Sequence, residues 1–212
     1  MTLRLTRPEA GTLIHSPRRY DFWLLLRSLG RERALREQLL DLAGIVPGDR
    51  VLDVGCGTGT LALASKRRAG ATGHVDAVDP SPEMVARACA KARHARVEVA
   101  VHEATAQDLP FPDASFDVVL STLVLHQLPH DGIHAAAAEM RRVLGPGGRL
   151  LVVDIDSGDP GNPRRTPHSH GRFDGRRIAP LLERSGLEVV GSGEVPFRLR
   201  RFERLLYVVA VA

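Results

Sequence analysis

Lysine is nearly absent from this chain: of 29 basic residues, only Lys66 and Lys91 are lysines, and the rest are arginine. Aromatic residues are also scarce, at 4%, which leaves few platforms on which bases of a nucleic acid would stack. The formal charge of +4 is therefore read as an arginine-rich solvated surface, and no nucleic-acid partner is expected. Cysteine occurs twice, as Cys56 and Cys89, and neither belongs to a C-x-x-C pair. That argues against a disulfide framework and a zinc knuckle, and it fits a reducing cytoplasm. No stretch approaches the roughly 20 apolar residues of a membrane span. Arg18 and Arg19 precede the apolar run Phe22–Leu26, but the run stops at Arg27 and no small-residue cleavage site follows, so export is not expected. His168 and His170 form an H-x-H pair without a third ligand at suitable spacing, so no metal is expected.

The remainder is the composition of a globular domain, with 43% hydrophobic and 25% charged residues over 212 positions. Two helices are expected over 20–29 and 31–42, broken near Gly30. From residue 50 onward, strand and helix patterns alternate. Strands are expected at 50–55, 74–79, 97–101, 116–123 and 149–155, and helices at 59–68, from Ser81-Pro82 onward, and at 131–144. A long connection, 156–173, leads to a helix over 174–185 and to strands at 187–195 and 204–211 that are close enough for a hairpin. Such alternation argues for an α/β fold with a mainly parallel sheet and helices on both faces. Ligands of such sheets bind beyond the carboxyl ends of the strands, at the switch point beside the first strand.

That switch point falls on Arg50-Val51-Leu52-Asp53-Val54-Gly55-Cys56-Gly57-Thr58-Gly59. A short apolar strand runs into alternate glycines and then a helix start, a combination that brings backbone and unpaired N–H groups close to a ligand. Two ligand classes fit. Gly57 to Ala62 satisfies the dinucleotide pattern G-x-G-x-x-A. Asp53 favours a ligand with an ammonium group, because an acid there would repel a pyrophosphate. Asp79 closes the second strand about 20 residues beyond the glycines, where a carboxylate accepts hydrogen bonds from ribose hydroxyls; capping the helix at Ser81 is its plainer role. Both ligand classes contain a ribose, so Asp79 does not separate them.

The segment Leu109-Pro110-Phe111-Pro112-Asp113-Ala114-Ser115-Phe116-Asp117, taken with D-V-G-C-G-T-G, resembles the class I S-adenosylmethionine-dependent methyltransferases over about residues 20–156. The resemblance implies a Rossmann-like, seven-stranded, mostly parallel sheet whose last strand is antiparallel. It implies S-adenosylmethionine as cofactor, with its methionine end against Asp53, Gly55, Cys56, Gly57 and Gly59, and its ribose on Asp79. Pro80 and Met84 would flank the adenine, and core packing is the plain alternative for Met84. In the family an acidic residue usually stands where this chain has Thr105, so the adenine amino group would meet a neutral hydroxyl, with the Ala106 N–H on the ring. Ser121 would contact the methionine moiety, and Tyr20 would close over the cofactor from the N-terminal helix.

His126, just after the fourth strand, would face the acceptor and is the candidate general base. The expected activity is in-line methyl transfer to a small-molecule acceptor. A nicotinamide-dependent oxidoreductase and a non-catalytic S-adenosylmethionine-binding protein are the alternatives. The expected organisation is an N-terminal helical cap, 1–45, ahead of a methyltransferase domain, 46–212, working as a cytoplasmic monomer or homodimer. The cap and the 156–173 connection would form a lid over the acceptor.

Overall fold

A computed structural model describes Pro17 and residues 32–156, 174–196 and 204–212. The expected helix at 20–29, Tyr20, His168 and His170 lie outside the described residues. The described elements are α1 (Glu32–Ala43), β1 (Arg50–Val54), α2 (Thr60–Ala69), β2 (His74–Asp79), α3 (Pro82–Ala95), β3 (Ala100–Glu103), β4 (Phe116–Thr122), α4 (His130–Val143), β5 (Leu144–Asp156), α5 (Ile178–Arg184), β6 (Glu188–Glu194) and β7 (Arg204–Val211). They form one seven-stranded sheet in the order β3-β2-β1-β4-β5-β7-β6. Strands β1 to β5 are mutually parallel, while β7 runs antiparallel to both β5 and β6, so the single reversed strand is the last one. The order reverses direction between β1 and β4, which places the strand ends Val54 and Ser121 side by side.

Alternation along the strands separates two cores. Val51, Val75, Ala77, Leu120 and Leu151 pack under α1 and α2, against Leu35, Leu39, Leu40, Leu61 and Ala62. Leu52, Val54, Val119, Leu150 and Val152 pack on the other face, against Ala136, Ala137 and Met140 of α4 and Ile178, Leu181 and Leu182 of α5. Because both faces are covered, the central strands read as near-continuous apolar runs without polar alternation, broken by the buried acids Asp53 and Asp154. Ser81 caps α3, its hydroxyl accepting the Met84 N–H at 3.3 Å, and Pro82 occupies the first helical position.

Three boundaries differ from the sequence expectation. β3 begins at Ala100 and not at Val97, because Arg96 adopts φ 54° and the Val97 N–H turns back to the Ala92 carbonyl, consuming residues 97–99 in leaving α3. β5 begins at Leu144 and not at Arg149: Leu144 pairs with Phe116, and the glycines beyond it exchange backbone hydrogen bonds with Ala212. The glycine-rich stretch ends α4 but continues as strand. The helix expected at 174–185 is a 3-10 turn over Gly175–Arg177 followed by α5.

Candidate cofactor and catalytic site

The glycine loop leaves β1 at Val54 and folds back over the end of β2. The Gly55 and Cys56 N–H groups both donate to the Val78 carbonyl, and the Gly57 N–H donates to Asp79 Oδ2 at 2.8 Å. Gly59 adopts φ 75° and starts α2; a Cβ there would lie 2.8 Å from the Ala88 methyl, so glycine is what lets α3 approach the loop. Gly55 adopts φ 72° under Val124. Lys91 reaches across from α3 to the Thr58 and Thr60 hydroxyls, at 2.7 and 3.0 Å. The two threonines of the loop are thereby tied to the helix that follows β2.

Asp79 fulfils the plain role weighed for it. Its Oδ1 accepts the Ser81 N–H at 2.9 Å while its Oδ2 holds the glycine loop. Each oxygen retains a second lone pair for a hydroxyl. Burial raises its pKa, and the Ser81 and Gly57 N–H groups oppose that shift.

Asp53 pairs in register with Ala77, two residues before Asp79, so the two carboxylates share one face of the sheet. Neither Asp53 oxygen has a hydrogen-bond partner of good geometry, although the side chain is buried; the Ala62 N–H is close enough to favour its charged form. Burial first, and then the charge of Asp79, push its pKa up to about 7. Burial, with Asp53 and Asp79 adding to it, pushes the Cys56 thiol well up.

Three buried hydroxyls also lack a partner: Ser65 Oγ in α2, Thr105 Oγ1, on the loop after β3, and Ser121 Oγ, at the end of β4. Unpaired buried polar atoms are uncommon. Here three of the residues that carry them (Asp53, Thr105 and Ser121) stand at, or just beyond, the carboxyl ends of β1, β3 and β4. An acid for an ammonium group, a carboxylate for ribose hydroxyls and neutral hydroxyls for the remainder fit S-adenosylmethionine. Pro80 is partly buried. Met84 is buried and belongs to neither of the two cores. Ala106 is buried in the core beneath α4.

The loop 104–115 owes its place to Arg142. This guanidinium donates to the Phe111 and Leu109 carbonyls at 2.7 and 3.0 Å, and to Asp113 and Glu139. Glu139 in turn accepts the Leu109 N–H at 2.8 Å. Phe111 stacks edge-on against Phe116, with centroids 5.0 Å apart. Asp117 ties the start of β4 to β1 by accepting the Arg50 N–H and guanidinium. The L-P-F-P-D-x-S-F-D segment is thus a fastening for the loop that carries Thr105.

His126 sits in a 3-10 turn, Leu125–Gln127, after β4. Leu123 adopts φ 60°, its N–H donates to the Val153 carbonyl at 2.8 Å, and the fully buried Leu125 anchors the turn. The ring then meets β5, where its Nδ1 lies 2.6 Å from Asp154 Oδ1. Asp154 is wholly buried, and also accepts the His126 and Ile155 N–H groups at 3.2 and 2.8 Å. Asp154, Lys91 and Val124 were not anticipated from the sequence. The only signal for Asp154 was an acid inside the apolar run Leu150–Ile155; Lys91 and Val124 had none. No cluster suited to a metal ion exists among the described residues.

A family model described as a methyltransferase domain matches residues 51–148. A ubiquinone/menaquinone biosynthesis C-methyltransferase of Laribacter hongkongensis is 38% identical over 148 residues, covering 69% of this chain and 60% of that protein. The chain thus spans about 60% of the length of such relatives. Among solved structures, an S-adenosylmethionine-dependent methyltransferase of Aquifex aeolicus superposes with a TM-score of 0.74 at 22% identity, covering 93% of this chain and 99% of that one. The cyclase SpnF superposes with a TM-score of 0.76 at 22% identity, covering 95% and 86%. At that identity the two structures speak for the fold alone. The motif match, the sheet order and the glycine-loop geometry agree that the chain belongs to the class I S-adenosylmethionine-dependent methyltransferases.

Proposed function

We propose that this chain transfers the methyl group of S-adenosylmethionine directly, in line, to a small-molecule acceptor. The observation that carries this reading is the pairing of Asp53 with Asp79 on one face at the end of β1 and β2. Two acids suit an ammonium group and a ribose, whereas a dinucleotide would bring its pyrophosphate against Asp53. The cofactor supplies a methyl already activated on a sulfonium. The protein therefore acts by positioning and by excluding water.

Asp53 and the loop Gly55–Gly59, with Cys56 among it, hold the amino-acid end. Asp79 holds the ribose; Pro80, Met84, Thr105 and Ala106 surround the base; Ser121 meets the methionine chain; and Tyr20 closes the site. His126 takes the acceptor's proton. The relatives named above are C-methyltransferases, and a carbon acceptor must lose a proton, which supports a base at this position. The first 45 residues are proposed to cap the acceptor side. Cytoplasmic residence is part of the proposal, supported by two free cysteines and by the lack, among the described residues, of a helix able to cross a membrane.

Calorimetric titration with S-adenosylhomocysteine and with NADH tests the reading. Saturable binding of the first, lost in Asp79→Ala, supports it. Saturation by NADH with no heat from S-adenosylhomocysteine overturns it in favour of an oxidoreductase.

A further inference from the structure

We infer that Asp154 is a positioning residue that sets the tautomer of His126 and so determines which ring nitrogen is the base. The inference rests on the methyltransferase reading, and it adds a residue to which neither the motifs nor the family match assigns a role. Three N–H groups converge on this one buried carboxyl: those of the His126 backbone, the Ile155 backbone and the His126 ring at Nδ1. A carboxylate has only acceptors, so the 2.6 Å contact requires the proton on Nδ1. Among the described residues the ring bonds through Nδ1 alone, which leaves Nε2 without a protein partner there. It carries the free lone pair.

The backbone enforces this arrangement. The left-handed turn at Leu123 and the fully buried Leu125 leave the imidazole packed against β5, with its side chain 11% exposed. The same Asp154 carboxylate binds both the backbone and the ring of His126: the backbone N–H holds the carboxylate in place beside the ring, and the ring cannot rotate away without losing its Nδ1 contact.

In the reaction, the acceptor's X–H bond breaks and its proton goes to Nε2. With S-adenosylmethionine bound, the electron pair left on X would form the bond to its methyl carbon, and the pair of the carbon–sulfur bond would leave on sulfur. The imidazolium that results faces the Asp154 carboxylate, which stabilises it without taking its proton. The pair therefore serves an acceptor that has a proton to lose, an O–H or an acidic C–H.

Nitrogen-15 NMR of the imidazole reads the tautomer directly, and a purely structural ion pair does not require the result. In the wild-type protein saturated with S-adenosylhomocysteine at pH 8, His126 is expected to carry its proton on Nδ1. In Asp154→Asn the Nε2–H form should appear, while S-adenosylhomocysteine affinity stays within about twofold. A wild-type ring protonated on Nε2 overturns the inference, as does an Asp154→Asn protein that keeps the Nδ1–H form entirely. Should Asp154→Asn not fold, the wild-type spectrum decides alone. Failure of the wild type to bind S-adenosylhomocysteine would sink the methyltransferase reading, and leaves the tautomer result standing by itself.

Discussion

Val124 lies so close above Gly55 that a methyl group on that glycine would come within 2.3 Å of Val124 Cγ2. One residue begins the loop proposed to hold the amino-acid end of the cofactor; the other begins the turn that carries His126. The two halves of the site are therefore in van der Waals contact, and each fixes the height of the other.

Gly55→Ala should destabilise the protein by about 2 kcal/mol or more, from the left-handed φ and the collision together. Val124→Ala in the same protein should recover the part due to the collision and leave the backbone strain. A double-mutant cycle in urea measures this, and a coupling near zero would show that the contact carries no energy.

Asp53→Asn should stabilise the cofactor-free protein and weaken the cofactor complex. The Asp53 pKa is about 7 in the folded state against 3.8 for the free side chain, so folding favours the protonated acid. Its contribution to stability is complete below about pH 4 and is lost as pH rises through 7. Wild type should therefore lose melting temperature between pH 5 and 8 relative to Asp53→Asn. Binding of an ammonium-bearing ligand needs the ionised form, so S-adenosylhomocysteine affinity should fall below pH 7, with proton release visible as a buffer-dependent heat. A flat affinity from pH 6 to 8 would contradict this.

Thr105→Asp should tighten S-adenosylhomocysteine by about three- to tenfold, since a charged acceptor makes a stronger hydrogen bond to an amino group than a hydroxyl does. Thr105→Val should loosen it by a similar factor. The cofactor-free stability of Thr105→Val should hold or rise, because Thr105 Oγ1 has no partner to lose. Weaker binding by Thr105→Asp would mean that the side chain does not face the amino group.

Arg142→Ala should lower stability by about 2 kcal/mol, the value of charged hydrogen bonds discounted for a side chain 31% exposed. Hydrogen exchange should quicken over 104–115, and cofactor affinity should fall although Arg142 is expected to touch no ligand. Unchanged exchange in that loop would refute its role as a fastening.

Much of the sheet was readable because parallel strands covered on both faces leave a simple trace: Val118–Leu120 and Leu150–Val153 are apolar without interruption, and Val51, Leu52 and Val54 are broken only by Asp53. Ser81-Pro82 announced α3 by chemistry that acts within four residues. The start of β5 failed because distant partners set it: Leu144 pairs with Phe116, and Gly147 and Gly148 bond Ala212. The start of β3 failed for a local reason, the left-handed Arg96 that turns the Val97 N–H back onto α3. In the site, Asp53, the glycines and Asp79 announce themselves by spacing from a single strand–loop–helix unit. Asp154 does not, since it acts through a contact 28 residues away.

The sequence alone determined the order of strands and helices, the glycine loop and the identity of the acids at the strand ends, since each follows from local periodicity and short-range backbone demands. Only the folded sheet decided which groups lack partners and which are paired. Placing β4 between β1 and β5 sets His126 on Asp154 and buries Asp53 beside Asp79. Burial and the closeness of charges arise between strands far apart in the chain, and no local pattern encodes them.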